Sequence, residues 1–513
     1  MRMTTVKTLS FASLLARGFV TAALVAMLTL TTPASAQFGG GGGGGGQGGG
    51  GGGGLGGGGG GGGLGGGGGG QGGGGGGLGG GGGGQGGGGG GGIGSGVIVD
   101  AEGVIHRNVV SDPGGRLANQ RVAEAMQRLE GDLAKPSQLR KVSLTKLEAT
   151  LAERIEAGQQ PTDAMQKLAG LTRIDYVFCY PETKEIVLAG PAEPWAIAPS
   201  GRVRGVRTGA PTLELQDLVT ALRVYGPGTE ASPLIYCSID PTEEGLQRMQ
   251  RFLSRVGRPN PNLIAKQLQQ QLGHQVVTVG GVPADTHFAQ VLVEADYRMK
   301  LIGIGLEQPQ ARIASYVSRV NPATVSKNAL QRWYFVPDYQ RLKASEDGLA
   351  MQMVGEGVRL VGEGEIVSMN GGRRQTGRNN RASQKFVTEF TKQYAALASA
   401  TPVYAQLRNC IDLAVAAAFM RDRDYFTKAG WEMPILGDEA KYSVRTENAP
   451  QKVASAVNAM WKGSTLMTPI GGGVQIRPTD ALSEDMVAAD EDGKLAEQRG
   501  QIQAAAGDAW WWD

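Results

Sequence analysis

Leu234-Ile235-Tyr236-Cys237-Ser238-Ile239-Asp240-Pro241-Thr242-Glu243-Glu244 is the stretch from which the fold is read most directly. Six residues rich in β-formers run straight into a helix start, with Asp240 placed to cap and Pro241 at the first helical position. Beyond it Leu246, Met249, Phe252, Leu253 and Val256 recur on one helical face. The same grammar repeats when Val276-Val277-Thr278-Val279 leads through Gly280-Gly281 into a helix from His287 to Lys300. Two successive strand-to-helix units predict an α/β sheet in this part of the chain.

Upstream, Val97 to Val99 and Val104-Ile105 flank a turn at Asp100 to Gly103, a hairpin pattern. A helical pattern starts at Leu117, and another has Thr145 and Glu148 spaced as a capping box ahead of Leu147, Leu151 and Ile155. A second hairpin joins Ile174 to Cys179 with Ile186 to Leu188, and Leu213 to Tyr225 reads as helix. Downstream lie strands at Trp333 to Val336 and Met351 to Ser368, where the repeated Val-Gly-Glu-Gly at 354–357 and 361–364 predicts a hairpin. Ser383 to Lys428 follows as a helical hairpin broken at Thr401-Pro402. The fold class is therefore α+β: two or three packed α/β and β-plus-helical-hairpin domains over 97–206, 207–310 and 311–477. A solvated acidic tail, 478–513, closes on Trp510-Trp511-Trp512-Asp513.

The beginning of the chain is different in kind. Arg2, Lys7 and Arg17 precede an apolar run from Phe19 to Leu30 and the Ala34-Ser35-Ala36 cleavage pattern, which predicts a signal peptide over 1–36 and a mature start at Gln37. Residues 37–96 form a Gly-rich, low-complexity stretch that cannot bury apolar area, and a disordered tether is the expectation. No later apolar run is long enough to span a bilayer. Removing the signal's three basic residues from a total of 50 leaves 47, against 47 acids. This balance removes any whole-protein attraction to nucleic acid or anionic membrane. Cys179, Cys237 and Cys410 are far apart in apolar segments; they allow at most one internal bridge or read as buried thiols, with no spacing that suggests zinc.

The segments Ile235 to Phe252, Val282 to Leu306 and Ser383 to Met420, with the closing three tryptophans and Asp513, resemble exported planctomycete proteins that carry an uncharacterised domain of unknown function. The resemblance implies an exported bacterial protein and brings no catalytic residues with it.

No complete catalytic motif, cofactor loop or metal-ligand set is present, so no cofactor or metal is expected. Weak catalytic candidates are Asp240, Asp285 and His287, which would serve a hydrolase acting on an envelope polymer. On the His287 helix, Glu294 with Arg298 and Asp296 with Lys300 are four apart and read as salt pairs solvating its flanks. Asp490 to Gly493 resembles part of a calcium loop but lacks an acid at its first and twelfth positions. Arg373, Arg374, Arg378 and Arg381 form a basic run expected in a mobile loop, suited to an anionic envelope polymer. Trp510, Trp511 and Trp512 are either anchors for an envelope partner or docked on their own chain. The leading expectation is an exported envelope or extracellular protein without enzymatic activity, a structural or interaction module.

Overall fold

The computed structural model describes residues 96–229, 234–257, 260–321, 329–339, 342–367, 370, 373–375, 380–458, 460–462, 465–467, 473–502 and 507–513. The signal peptide, its cleavage residues Ala34, Ala36 and Gln37, and all of the Gly-rich stretch before Gly96 lie outside them.

Two large mixed sheets, two small two-stranded ones, Trp195–Ile197 with Val203–Gly205 and Met460–Lys462 with Thr465–Met467, and a set of helices make up a mixed α/β fold. The larger sheet has nine strands in the order Val97–Val99, Val104–Arg107, Lys452–Ala454, His274–Gly280, Ile235–Pro241, Gly473–Ile476, Ala329–Asp338, Gly357–Val367, Arg373–Gln375. The smaller has seven: Val487–Ala489, Leu342–Ala344, Ala350–Gln352, Tyr176–Tyr180, Glu185–Ala192, Ser137–Ser143, Trp511–Trp512. Residues 97–206, 207–310, 311–477 and the tail thus contribute strands to shared sheets. The acidic tail is accordingly built in, through the Val487–Ala489 strand, the Lys494–Gln501 helix and the Trp511–Trp512 strand.

The opening stretch forms a strand and a helix as read, with one correction. The strand runs on to Pro241, and the Glu243–Arg255 helix is capped by Thr242, whose hydroxyl accepts from Gly245 N at 3.0 Å. Asp240 is drawn instead into ion pairs. The direction, which the sequence left open, is antiparallel between Ile235–Pro241 and His274–Gly280, because two helices, Glu243–Arg255 and Pro261–Leu272, reverse the chain between them. These helices have their own apolar cluster around Leu246, Met249, Ile264 and Leu268.

The middle of the molecule is the 21-residue Pro402–Asp422 helix. Its alanines and leucines favour helix, and Pro402 sits at the first turn, where its missing N–H costs nothing. From Val403 to Met420 every residue except Arg408 is buried, so the helix is wrapped on all sides. Around it Trp333, Phe335, Phe386, Phe390, Tyr394 and Tyr404 form an aromatic cluster with centroid separations of 4.9–6.3 Å. The inner faces of both sheets join one continuous core with these residues.

Three smaller expectations change. Ser143, not Thr145, caps the Leu144–Glu156 helix, and Glu148 is buried where it accepts from the backbone N–H groups of Ile435 and Leu436 at 2.8 and 2.6 Å. The second Val-Gly-Glu-Gly copy lies inside the Gly357–Val367 strand, which pairs with Ala329–Asp338 and not with the first copy. The helix from His287, extending to Gly303, is enclosed rather than flanked by solvent: Glu294 and Asp296 are both 0% exposed.

Candidate functional site

Alternation along the Ile235–Pro241 strand sends Ile235, Cys237 and Ile239 into the core and leaves Tyr236, Ser238 and Asp240 on the outer face of the nine-stranded sheet. Register extends that face. Ser238 lies opposite Thr278 and Gly473, Tyr236 opposite Gln475 and Gly280, and Gly473 in turn beside Tyr334. A Cβ on Gly280 would stand 2.4 Å from the Tyr236 ring, so the glycine is what lets that ring lie across the neighbouring strand.

Asp240 and Arg373, which sequence reading kept apart as an acid candidate and part of a mobile basic loop, meet here. Arg373 is in an edge strand, and its guanidinium donates to Asp240 Oδ1 at 2.8 Å and to both oxygens of Glu365 at 2.9 Å. Arg332 completes the group, 3.6 Å from both Asp240 and Glu365. Burial would raise the Asp240 carboxyl, but Arg332, Arg373 and Lys300 outweigh it and hold it below the usual range. Beneath the strand, Lys300 donates to the Ile239 carbonyl at 2.7 Å and pairs with Asp296 at 3.1 Å. Burial dominates at Asp296 and pushes its carboxyl up to about 6, against the pull of Lys300. Two carboxylates of opposite tendency therefore flank one strand, but they face different layers: Asp240 outward, Asp296 into the core.

His287 is on the covered side. It opens its helix behind the Thr286 cap, and its Nδ1 lies 2.9 and 3.0 Å from the oxygens of Asp217, on the Leu215–Tyr225 helix. Burial would lower the imidazole, yet Asp217 and Glu214 overcome this and raise it, favouring the charged ring. The remaining ring nitrogen faces the Gln406 amide at 3.5 Å. Asp285 does not join this pair; its backbone carbonyl accepts from Glu447 N at 2.7 Å. Further along the helix, Glu294 is paired with Arg202, accepts from Gly96 N at 2.9 Å and lies 3.5 Å from Arg298. Arg298 goes on to Glu307 at 2.6 Å. Both four-apart pairs read from sequence exist, as buried links in larger networks.

The remaining site residues divide. Arg374 and Arg381 are exposed, Arg381 as the first residue of the Arg381–Lys392 helix, and Arg378 lies outside the described residues. Trp510 is buried and Trp511–Trp512 pair antiparallel with Val142 and Lys141, so the closing residues are docked on their own chain. Asp513 clamps the fully buried Arg140 through two contacts of 2.8 Å, and Arg140 stacks over the Trp511 ring at 4.9 Å. Cys179, Cys237 and Cys410 are free and buried, and burial pushes each thiol up, away from nucleophilic use. No group of metal-ligating side chains occurs among the described residues, and no helix there is long and apolar enough to cross a membrane.

Sequence reading missed Asp217 and Asp412. Asp412, in the middle of the central helix, accepts from the Tyr339 hydroxyl at 2.6 Å. The signal available was a lone acid inside a mostly apolar run, Leu215 to Leu222 for one, and inside an otherwise apolar run, Ile411 to Phe419, for the other.

The molecule so defined is a mixed α/β protein built on two large sheets, with several of its ionisable groups woven into buried networks. Residues 237–316 match the family described as "Protein of unknown function (DUF1598)", a span that holds Asp240, His287 and the Glu294 to Glu307 network. No match was found among curated proteins or among solved structures.

Proposed function

We propose that this chain is an exported bacterial protein, of planctomycete source, acting in the envelope or outside the cell as a non-enzymatic interaction module. Its contact surface is the outer face of the nine-stranded sheet, and its partner is a hydroxyl-rich envelope polymer. The observation that carries this reading is the register that gathers Tyr236, Ser238, Thr278, Gln475 and Tyr334 on that face. Aromatic rings beside hydroxyl and amide groups suit the alternating apolar and polar faces of sugar rings. The charges nearest Ser238 on this face are matched among themselves, Arg332 and Arg373 by Asp240 and Glu365, which favours an uncharged polymer over an anionic one.

A hydrolase using His287 with Asp240 is less well supported, since the two lie on opposite sides of the sheet and each is held in an ion pair. The test is retention of purified residues 37–513 on insoluble envelope polysaccharide, with fractionation and cross-linking of the native cells alongside. Tyr236→Ala with Tyr334→Ala should abolish retention while preserving the circular dichroism spectrum. Equal retention by the double variant would refute the surface, and polymer cleavage lost in His287→Ala would replace the reading with the hydrolase.

A further inference from the structure

The smaller sheet carries a second feature, independent of the first. Between the Tyr180 to Glu185 turn and the Lys494–Gln501 helix lies a cavity of about 250 Å3, walled by Tyr180, Ile502 and Trp512, with Glu182, Glu185 and Arg499 supplying its charge. That volume is roughly eight water molecules' worth, the size of a small organic head group. Trp512 reaches the cavity only because the Trp511–Trp512 strand is paired to Ser137–Ser143 and held by the Arg140 to Asp513 clamp.

We propose that this cavity binds a small organic cation, a quaternary ammonium or guanidinium group. Two of the three lining charges are already matched. Arg499 pairs with Asp347 at 2.9 Å and donates to the Cys179 carbonyl at 3.1 Å, while Glu185 pairs with Lys146 at 3.0 Å. Glu182 is exposed and has no ion-pair partner among the described residues, so the uncompensated charge on the wall is negative. The aromatic walls favour the same sign. Arg499 already stands 5.5 Å over the Tyr180 ring, and the adjoining Arg140 uses Trp511 in the same way, so this sheet presents its rings to cations. Ile502 adds the apolar contact that alkylated ammonium groups need.

Choline and arginine amide are the probes, and 3,3-dimethylbutan-1-ol, the uncharged carbon isostere of choline, is the control. Binding to residues 37–513 is followed by tryptophan fluorescence and calorimetry. Choline should bind roughly tenfold tighter than its isostere. Glu182→Gln, a change in an exposed turn, should reduce that preference by roughly two- to fivefold. Trp512→Phe keeps the strand and should remove the fluorescence response while weakening binding severalfold. Equal binding of choline and the isostere, an unchanged preference in Glu182→Gln, or no saturable binding of either cation would each overturn the proposal.

Discussion

Asp412 offers the sharpest test of the electrostatics. Its side chain is fully buried in the central helix; burial pushes the carboxyl up to about 6 from the usual 3.8, although Arg173, Tyr339 and Arg408 pull the other way. Between those two values the folded protein holds a proton that the unfolded chain releases. The stabilisation from that proton is complete below pH 3.8 and is lost as pH rises through about 6. A shift of about two units at about 1.4 kcal/mol each makes the loss about 3 kcal/mol at neutral pH. Asparagine imitates the protonated acid and keeps an acceptor for Tyr339. Arg408 retains Glu356 at 3.1 Å, and Arg173 retains Asp175 at 3.9 Å. Asp412→Asn should therefore raise the urea midpoint at pH 8 by the equivalent of about 3 kcal/mol, and this gain should shrink towards zero by pH 4. A variant no more stable than the parent at pH 8, or a difference that does not change with pH, would show that the ionised carboxylate is a net stabiliser and that burial does not dominate there.

Other outcomes follow from the same geometry. Asp513→Ala strips the bidentate partner from a buried guanidinium and should cost about 2 kcal/mol, read from the urea midpoint. Thr242→Ala should cost about 1 kcal/mol and speed hydrogen exchange at the Gly245 amide, whereas Asp240→Ala should leave that amide protected. Gly357 has φ +68° and a Cβ there would lie 2.8 Å from the Tyr339 ring and 3.2 Å from Asp412; Gly357→Ala should cost roughly 1–3 kcal/mol in a thermal melt. Glu294, held below its usual range because Arg202 and Arg298 outweigh burial, contributes stability that is present above pH 4.5 and lost as pH falls through its depressed value. Glu294→Gln should flatten the acid limb of the stability profile.

Much of the local structure was legible because it depends on neighbours in sequence. The apolar period of the Leu246 helix, the turn between Tyr180 and Glu185, the break at Thr401-Pro402 and the buried thiols are all as the residues imply. The α+β class followed from them. Where two nearby residues could do the same job, the sequence held no means of choosing: Asp240 and Thr242 both cap helices, and an ion pair with Arg373, 133 positions away, removed Asp240 from the competition. The same holds for Asp296 and Lys300, whose spacing predicts a pair on a helix but says nothing of whether water or a sheet lies beside it. Strand order, the sheets shared by residues 97–206, 207–310, 311–477 and the tail, the docking of Trp510 to Trp512 and the meeting of His287 with Asp217 are long-range pairings. Their free energy comes from burial and charge neutralisation between segments brought together only by the complete fold, so the tertiary structure alone decides them.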